Sequence, residues 1–146
     1  MNTLHGADEI HYGGLFIGIH NSVISGDCVQ LFVDGLLGFP WNAKDTILVT
    51  GGSGMCGQNL REYVESLDNV KLRNQEWIFA SSKDCDLTVE SQTISYFRRI
   101  QPTHVIHLAA DVGGLYKNMD DKFTIGRNNV VMNSNVMKAS VAIAIV

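Results

Sequence analysis

From Thr46 onward the apolar positions of the chain follow two alternating rhythms. TILVT (Thr46–Thr50) is a β-branched run that stops at glycines, the pattern of a buried strand. Leu60, Tyr63, Val64 and Leu67 then fall at i, i+3, i+4 and i+7, one face of a helix that begins near Met55. After the polar stretch DNVKLRNQ, EWIFAS (Glu76–Ser81) predicts a second strand. Thr88 is placed to cap a helix with Glu90 in its first turn and Ile94, Phe97 and Ile100 on its apolar face, and Pro102 ends it. THVIHLAA (Thr103–Ala110) predicts a third buried strand, and a last helix spans about Asp121 to Ala139. Strand and helix alternate three times, which implies parallel strands joined by crossover helices. The fold class is therefore α/β: a Rossmann-like doubly wound parallel sheet, incomplete, with only its first half present. Three strands leave one edge of that sheet open, an invitation to aggregation.

Before residue 45 the character differs. HYGGLFIGIHNSVISGDCVQLFVDGLLGFPW is rich in glycine and has no clear period. Residues 1–44 form an atypical N-terminal extension, expected to be poorly ordered, and residues 45–146 a truncated nucleotide-binding domain. The apolar patches between Leu15 and Phe39 are interrupted by Asn21, Ser22, Ser25, Asp27 and Asp34, which excludes a membrane span there. MNTLHGADEI lacks the basic start of a signal peptide and carries two acids.

Composition narrows the function classes. With 45% apolar and 18% charged residues, the 146-residue chain has the make-up of an ordinary soluble domain with a real core. A net charge of −4 gives no general attraction to nucleic acid or to acidic membranes. The cysteines, Cys28, Cys56 and Cys85, are odd in number and spaced for neither a zinc site nor a disulfide framework, so reduced thiols in the cytoplasm are expected.

The chemistry starts at TGGSGMCGQ. Gly52-x-Gly54-x-x-Gly57 follows a predicted strand and opens a predicted helix, the context that makes this spacing a dinucleotide fingerprint rather than an ordinary glycine turn. One glycine permits the tight turn, one lets the backbone approach a pyrophosphate, and one lets helix pack on strand. The helix start offers N–H groups and partial positive charge to phosphate. The second strand runs into Ser81-Ser82-Lys83 without an acid at its tip, which favours the 2′-phosphate of NADP over the free ribose of NAD. Lys83 is placed to pair with that phosphate and the serines to donate to it. A solvated surface lysine is the alternative. Asp86-Leu87 follows, placed either to meet the adenine or to lead into the next helix. His104 and His107, three apart on a strand, point to opposite faces and are read as satisfied core or edge histidines. Cys56 inside the loop is read as an inert filler.

ILVTGGSGMCG, WIFASSKDCDLT and QPTHVIHLAADVGGLYKN together resemble the GDP-sugar epimerase–reductases of the extended short-chain dehydrogenase/reductase family. NNVVMNSNVMKA is similar to that family's Asn-Val…Asn helix, with Asn129 and Asn135 matching. The resemblance covers about Asp45 to Ser140. It implies an NADP phosphate loop at Gly51, Gly52, Ser53, Gly54, Met55, Cys56 and Gly57, with Lys83 near the 2′-phosphate and Asp86-Leu87 near the adenine. Leu108, Ala109 and Ala110 would line the cofactor, and Val112-Gly113-Gly114 would lie near nicotinamide and sugar. The implied reaction inverts two carbons flanking the ketone of GDP-4-keto-6-deoxy-D-mannose and reduces the ketone with NADPH, giving GDP-L-fucose, in a homodimer. A Tyr–Lys pair with a Ser handles the carbonyl proton in that family, and a Cys and a His serve the inversions.

The chain departs from that pattern in two places. Tyr12, Tyr63, Tyr96 and Tyr116 are followed four residues on by Phe16, Leu67, Ile100 and Asp120, so no Tyr-x-x-x-Lys is present. Residues 1–44 match nothing in the family, and the tail SVAIAIV departs from its expected helix end and next strand; the extension reads as an extra module or as translated sequence from an imperfect gene model or alternative transcript. The expected identity is an N-terminal piece of such an enzyme. A related sugar-nucleotide epimerase or dehydratase, and a non-catalytic NADP-binding module, are the other readings.

Overall fold

The computed structural model describes residues 16–18, 45–66, 75–112 and 122–144. Four parallel strands make one sheet: β1 (Phe16–Gly18), β2 (Thr46–Thr50), β3 (Glu76–Ala80) and β4 (His104–His107). Their order is β1-β4-β2-β3. Helix α1 (Met55–Ser66) carries the chain from β2 to β3, α2 (Glu90–Ile100) from β3 to β4, and α3 (Lys122–Ala144) follows β4.

The centre of the sheet is β2, and its sequence explains why. Ile47, Leu48 and Val49 are fully buried, and β-branched residues suit a strand covered on both faces. Alternation sends them to different layers. Ile47 and Val49 join Ile106 and Leu60 of α1 on one face. Leu48 joins Val105, Phe97 of α2, and Val136 and Ala139 of α3 on the other. Helices thus cover both faces, as a doubly wound sheet requires. Tyr63 and Val64 pack against the first layer, as the helical spacing predicts; Leu67 lies outside the described residues.

Local details differ from the sequence expectation. Thr88 does not cap α2: Asp86 Oδ1 accepts from both the N–H (2.9 Å) and the hydroxyl (2.6 Å) of Thr88, and Val89 takes the cap position without a side-chain bond. The inward face of α2 includes Thr93 and Tyr96 beside Phe97. Gln101 closes the helix in the left-handed region, φ 52°, its N–H reaching Phe97 O at 2.8 Å, and Pro102 follows. The third predicted strand stops at His107, three residues early. The last helix runs on to Ala144, because Val136, Ala139 and Ile143 keep meeting the core.

The largest difference concerns the sheet edge. Three strands were expected, with one edge of the sheet left open. Instead β1, from the extension, pairs in parallel with β4, with Phe16 opposite Val105 and Gly18 opposite His107. Among the described residues, the extension supplies the outermost strand at that edge.

Candidate nucleotide-binding site

The carboxyl ends of β2, β3 and β4 open into a cavity of about 550 Å³. In open α/β sheets this is where ligands bind. Its walls come from five places: the loop after β2, the loop after β3, Tyr96 of α2, the segment after β4, and the inner face of α3.

The first wall is the glycine loop. Gly51 has φ +75°, and a Cβ there would stand 2.6 Å from Ala109 N, so the tight turn falls on Gly51, one residue before the fingerprint. A Cβ on Gly57 would stand 2.5 Å from Gly51 O and 2.6 Å from Gly52 Cα, so Gly57 sets how closely α1 approaches the strand end. Gly54 is different: only Gly51 O, at 3.3 Å, is near its Cβ position. Ser53, Gly54, Met55, Cys56 and Gly57 line the cavity. The loop is tied by Gly54 N–H to Gly51 O (3.0 Å) and by Gln58 Nε2 to Ser53 O (3.1 Å). The first helical hydrogen bond, Gln58 N–H to Gly54 O at 2.9 Å, leaves the N–H groups before it at the helix mouth.

The second wall is the turn after β3. Ser81 and Ser82 line the cavity, and so do Cys85, Asp86 and Leu87. Asp84 folds back instead: its Oδ2 accepts from Ser81 N–H (2.8 Å) and Ser81 Oγ–H (2.7 Å). Those bonds hold the Asp84 carboxyl below its usual range, with the nearby Arg99 charge assisting and a little burial opposing. The Thr88 bonds do the same for Asp86. Leu87 is buried in the core layer and also forms wall, while burial pushes the Cys85 thiol and the Tyr96 hydroxyl up.

The third wall is Leu108, Ala109, Ala110, Asp111 and Val112. Leu108 N–H reaches Thr50 O at 3.0 Å and so extends the ladder by one step. Asn129 of α3 then clamps Asp111, accepting from its N–H (2.7 Å) and donating to its carbonyl (3.0 Å), while Asn128 Nδ2 donates to Asp111 Oδ2 (2.9 Å). Asn135 is buried and donates to Leu87 O at 2.9 Å. One helix thereby fixes two walls.

Of the residues singled out from sequence, Gly51, Ser53, Gly54, Met55, Cys56, Gly57, Asp86, Leu87, Leu108, Ala109 and Ala110 meet on this cavity. Gly52 lies behind it: a Cβ there would stand 2.6 Å from Phe79 Cβ, so its work is packing against β3. Lys83 is exposed and its side chain is not part of the wall. Val112 is on the wall and half exposed, while Gly113 and Gly114 lie outside the described residues. Tyr96, Asn128 and Met132 also line it, and the sequence reading missed them. Tyr96 could have been found from its place one residue before Phe97 on α2. Asn128 and Met132, four apart on α3, share one helical face. His104 and His107 stand apart: His104 Nδ1 is 2.9 Å from Thr103 Oγ1, and His107 Nδ1 is 2.6 Å from Thr50 Oγ1.

A parallel sheet with helices on both faces, and a glycine loop opening a helix over its carboxyl end, define the class: a doubly wound nucleotide-binding domain. Residues 47–145 match the NAD dependent epimerase/dehydratase family, and the chain belongs to it. It is 50% identical over 95 residues to the GDP-L-fucose synthase of Dictyostelium discoideum, covering 65% of this chain and 29% of that one. It is 44% identical over 94 residues to the probable GDP-L-fucose synthase of Drosophila melanogaster, covering 64% and 28%. Among solved structures it is similar to a GDP-L-fucose synthetase from Naegleria fowleri bound to NADP, with a TM-score of 0.62 and 37% identity over 72% of this chain and 32% of that one. The chain spans less than a third of the length of these relatives. Among the described residues no helix is long and apolar enough to cross a membrane.

Proposed function

We propose that this chain is the NADP-binding part of an epimerase–reductase that makes GDP-L-fucose from GDP-4-keto-6-deoxy-D-mannose. The observation that carries the reading is the glycine loop closing a cavity of cofactor size, with Gly54 open toward it and Gly57 holding the helix mouth close. That cradle suits a pyrophosphate. Ser82 suits the 2′-phosphate, Ser81 giving its N–H and hydroxyl to Asp84, with Lys83 close enough in sequence to swing over it. Asp86 and Leu87 suit the adenine, and Leu108, Ala109 and Ala110 the run toward the nicotinamide. Bound NADPH would supply hydride to the sugar ketone. The residues of this chain bind and orient it and contribute no proton donor of the Tyr-x-x-x-Lys kind. The relatives named above support the GDP-sugar as substrate.

The same reading places the protein in the cytoplasm and pairs it with a second copy of itself. Helix α3 is apolar on two sides. Met132, Val136, Ala139 and Ile143 face the core, while Phe123, Val130, Met137 and Val141 are exposed. Phe123, Val130 and Met137 recur every seven residues, the spacing at which like helices pack together.

Calorimetry of NADPH and NADH against the purified chain, with Lys83→Ala beside it, tests the cofactor reading. NADPH binding that weakens in the variant is the expected result. A folded chain that binds neither dinucleotide would overturn it. A non-catalytic NADP-binding module is the second reading. It wins if the gene encodes no Tyr-x-x-x-Lys anywhere in its product.

A further inference from the structure

The turn after β3 holds an acid that the cavity does not see. Ser81, Ser82, Cys85 and Asp86 line the cavity, and Asp84, in the middle of them, does not. Two hydrogen bonds to one oxygen, from Ser81 N–H at 2.8 Å and Ser81 Oγ–H at 2.7 Å, turn its carboxylate back onto the strand end. The turn is closed further by Asp84 N–H to Ser81 O (3.1 Å), Cys85 N–H to Ser81 O (3.3 Å) and Lys83 N–H to Ser81 Oγ (3.3 Å). Ser81 is a partner in every one of these bonds. In this kind of fold an acid beyond the second strand of the nucleotide unit accepts hydrogen bonds from the free ribose hydroxyl and repels a phosphate there.

We propose that Ser81 is a specificity-determining positioning residue: by latching Asp84 against the end of β3, it withdraws that carboxylate from the cavity, while Asp86 on the wall is held by Thr88, and lets the site take a 2′-phosphate. The proposal rests on the cofactor reading above. It adds that cofactor choice is set by where an acid is held, in a loop that does contain one. Two exposed or half-exposed polar residues at a turn are replaceable without disturbing the core, so the variants remain folded.

The latch is tested first without ligand. Asp84 should titrate below the usual carboxylate range in the wild-type chain and return toward it in Ser81→Ala, followed by carboxyl carbon NMR. An Asp84 that titrates alike in both overturns the proposal. Binding of NADPH and NADH is then measured for the wild type, Ser81→Ala, Ser81→Thr and the double variant Ser81→Ala/Asp84→Asn. Ser81→Ala should lower the NADPH-to-NADH preference about tenfold, as a like charge released near a phosphate does at protein-surface dielectric. Ser81→Thr, which keeps the hydroxyl, should retain the wild-type preference. The double variant should recover most of it, because the released group no longer carries charge. A double variant as poor as Ser81→Ala would show that Ser81 simply touches the phosphate, and the latch would be wrong. A wild-type chain that binds neither dinucleotide overturns the cofactor reading and this proposal with it, and the titration tells that failure apart from failure of the latch.

Discussion

Thr50 and His107 end neighbouring strands in the same register and share a buried hydrogen bond, Thr50 Oγ1 to His107 Nδ1 at 2.6 Å. The bond joins β2 to β4 just beneath the glycine loop, since Gly51 follows Thr50 and rests against Ala109. Burial holds the His107 imidazole below the usual histidine range, and its contact with Asn133 offsets part of that.

This fixes the sign of a pH effect. In the folded chain His107 resists protonation, while in the unfolded chain it titrates near its ordinary value, about 6.5. Above that value both states are neutral and stability is full. As pH falls below it the unfolded state takes up the proton first, so stability drops by up to about 1.4 kcal/mol per pH unit for each such group. His104, also pushed down by burial, acts the same way. Urea midpoints should fall between pH 7 and pH 5, and His107→Gln should flatten that slope without abolishing it. A slope that His107→Gln leaves unchanged would assign the effect elsewhere.

Two glycines of the loop should separate folding from binding. Gly57→Ala puts a methyl into backbone atoms at 2.5–2.8 Å, so helix and strand must part, at a cost of about 1–3 kcal/mol. Gly54→Ala meets only one atom, at 3.3 Å, and should change stability by less than about 0.5 kcal/mol. It should nonetheless weaken NADPH binding, because its methyl enters the space the pyrophosphate would use. Denaturant unfolding and calorimetry on the two variants read both effects.

Asn135→Ala removes a buried donor from Leu87 O, which among the described residues then keeps a 3.5 Å contact from Thr93 Oγ1. A loss of about 1–3 kcal/mol is expected. Amide exchange should quicken around Leu87, on the wall proposed to meet the adenine. Unchanged exchange there would mean that α3 does not hold this wall.

Lys138 and Glu90 join α3 to α2 by an ion pair at 2.9 Å, with both side chains about half exposed. A double-mutant cycle with alanine should give a coupling of no more than about 1 kcal/mol. It should vanish in about 1 M salt, where charges are screened within a few ångströms.

The sequence disclosed most of the site because its signals are local. The glycines follow a β-branched run directly, and the loops after β3 and β4 are continuous in sequence. What stayed hidden was carried by longer reach. Thr88 looks like a helix cap, but the competing acceptor, Asp86, lies two residues back and takes both of its donors. Tyr96 reads as a neutral helix position until the cavity appears beside it. Asn129 and Asn135 stand out as residues but reveal their partners, Asp111 and Leu87, only when α3 is laid across the sheet. Phe16–Gly18 has no periodicity of its own. Its strand character comes entirely from the unpaired edge of β4.

That edge also sets an order of events. The pairing of Phe16 with Val105 joins positions about 90 residues apart, whereas β2 and β4 meet across 57. Closing so long a loop for three residues of ladder gives little return until β4 already lies against β2. We predict that β1, the first strand among the described residues, is laid down last and released first. Sheet growth on that side should be slow, reversible, and read most directly in how quickly the β4 amides exchange with solvent.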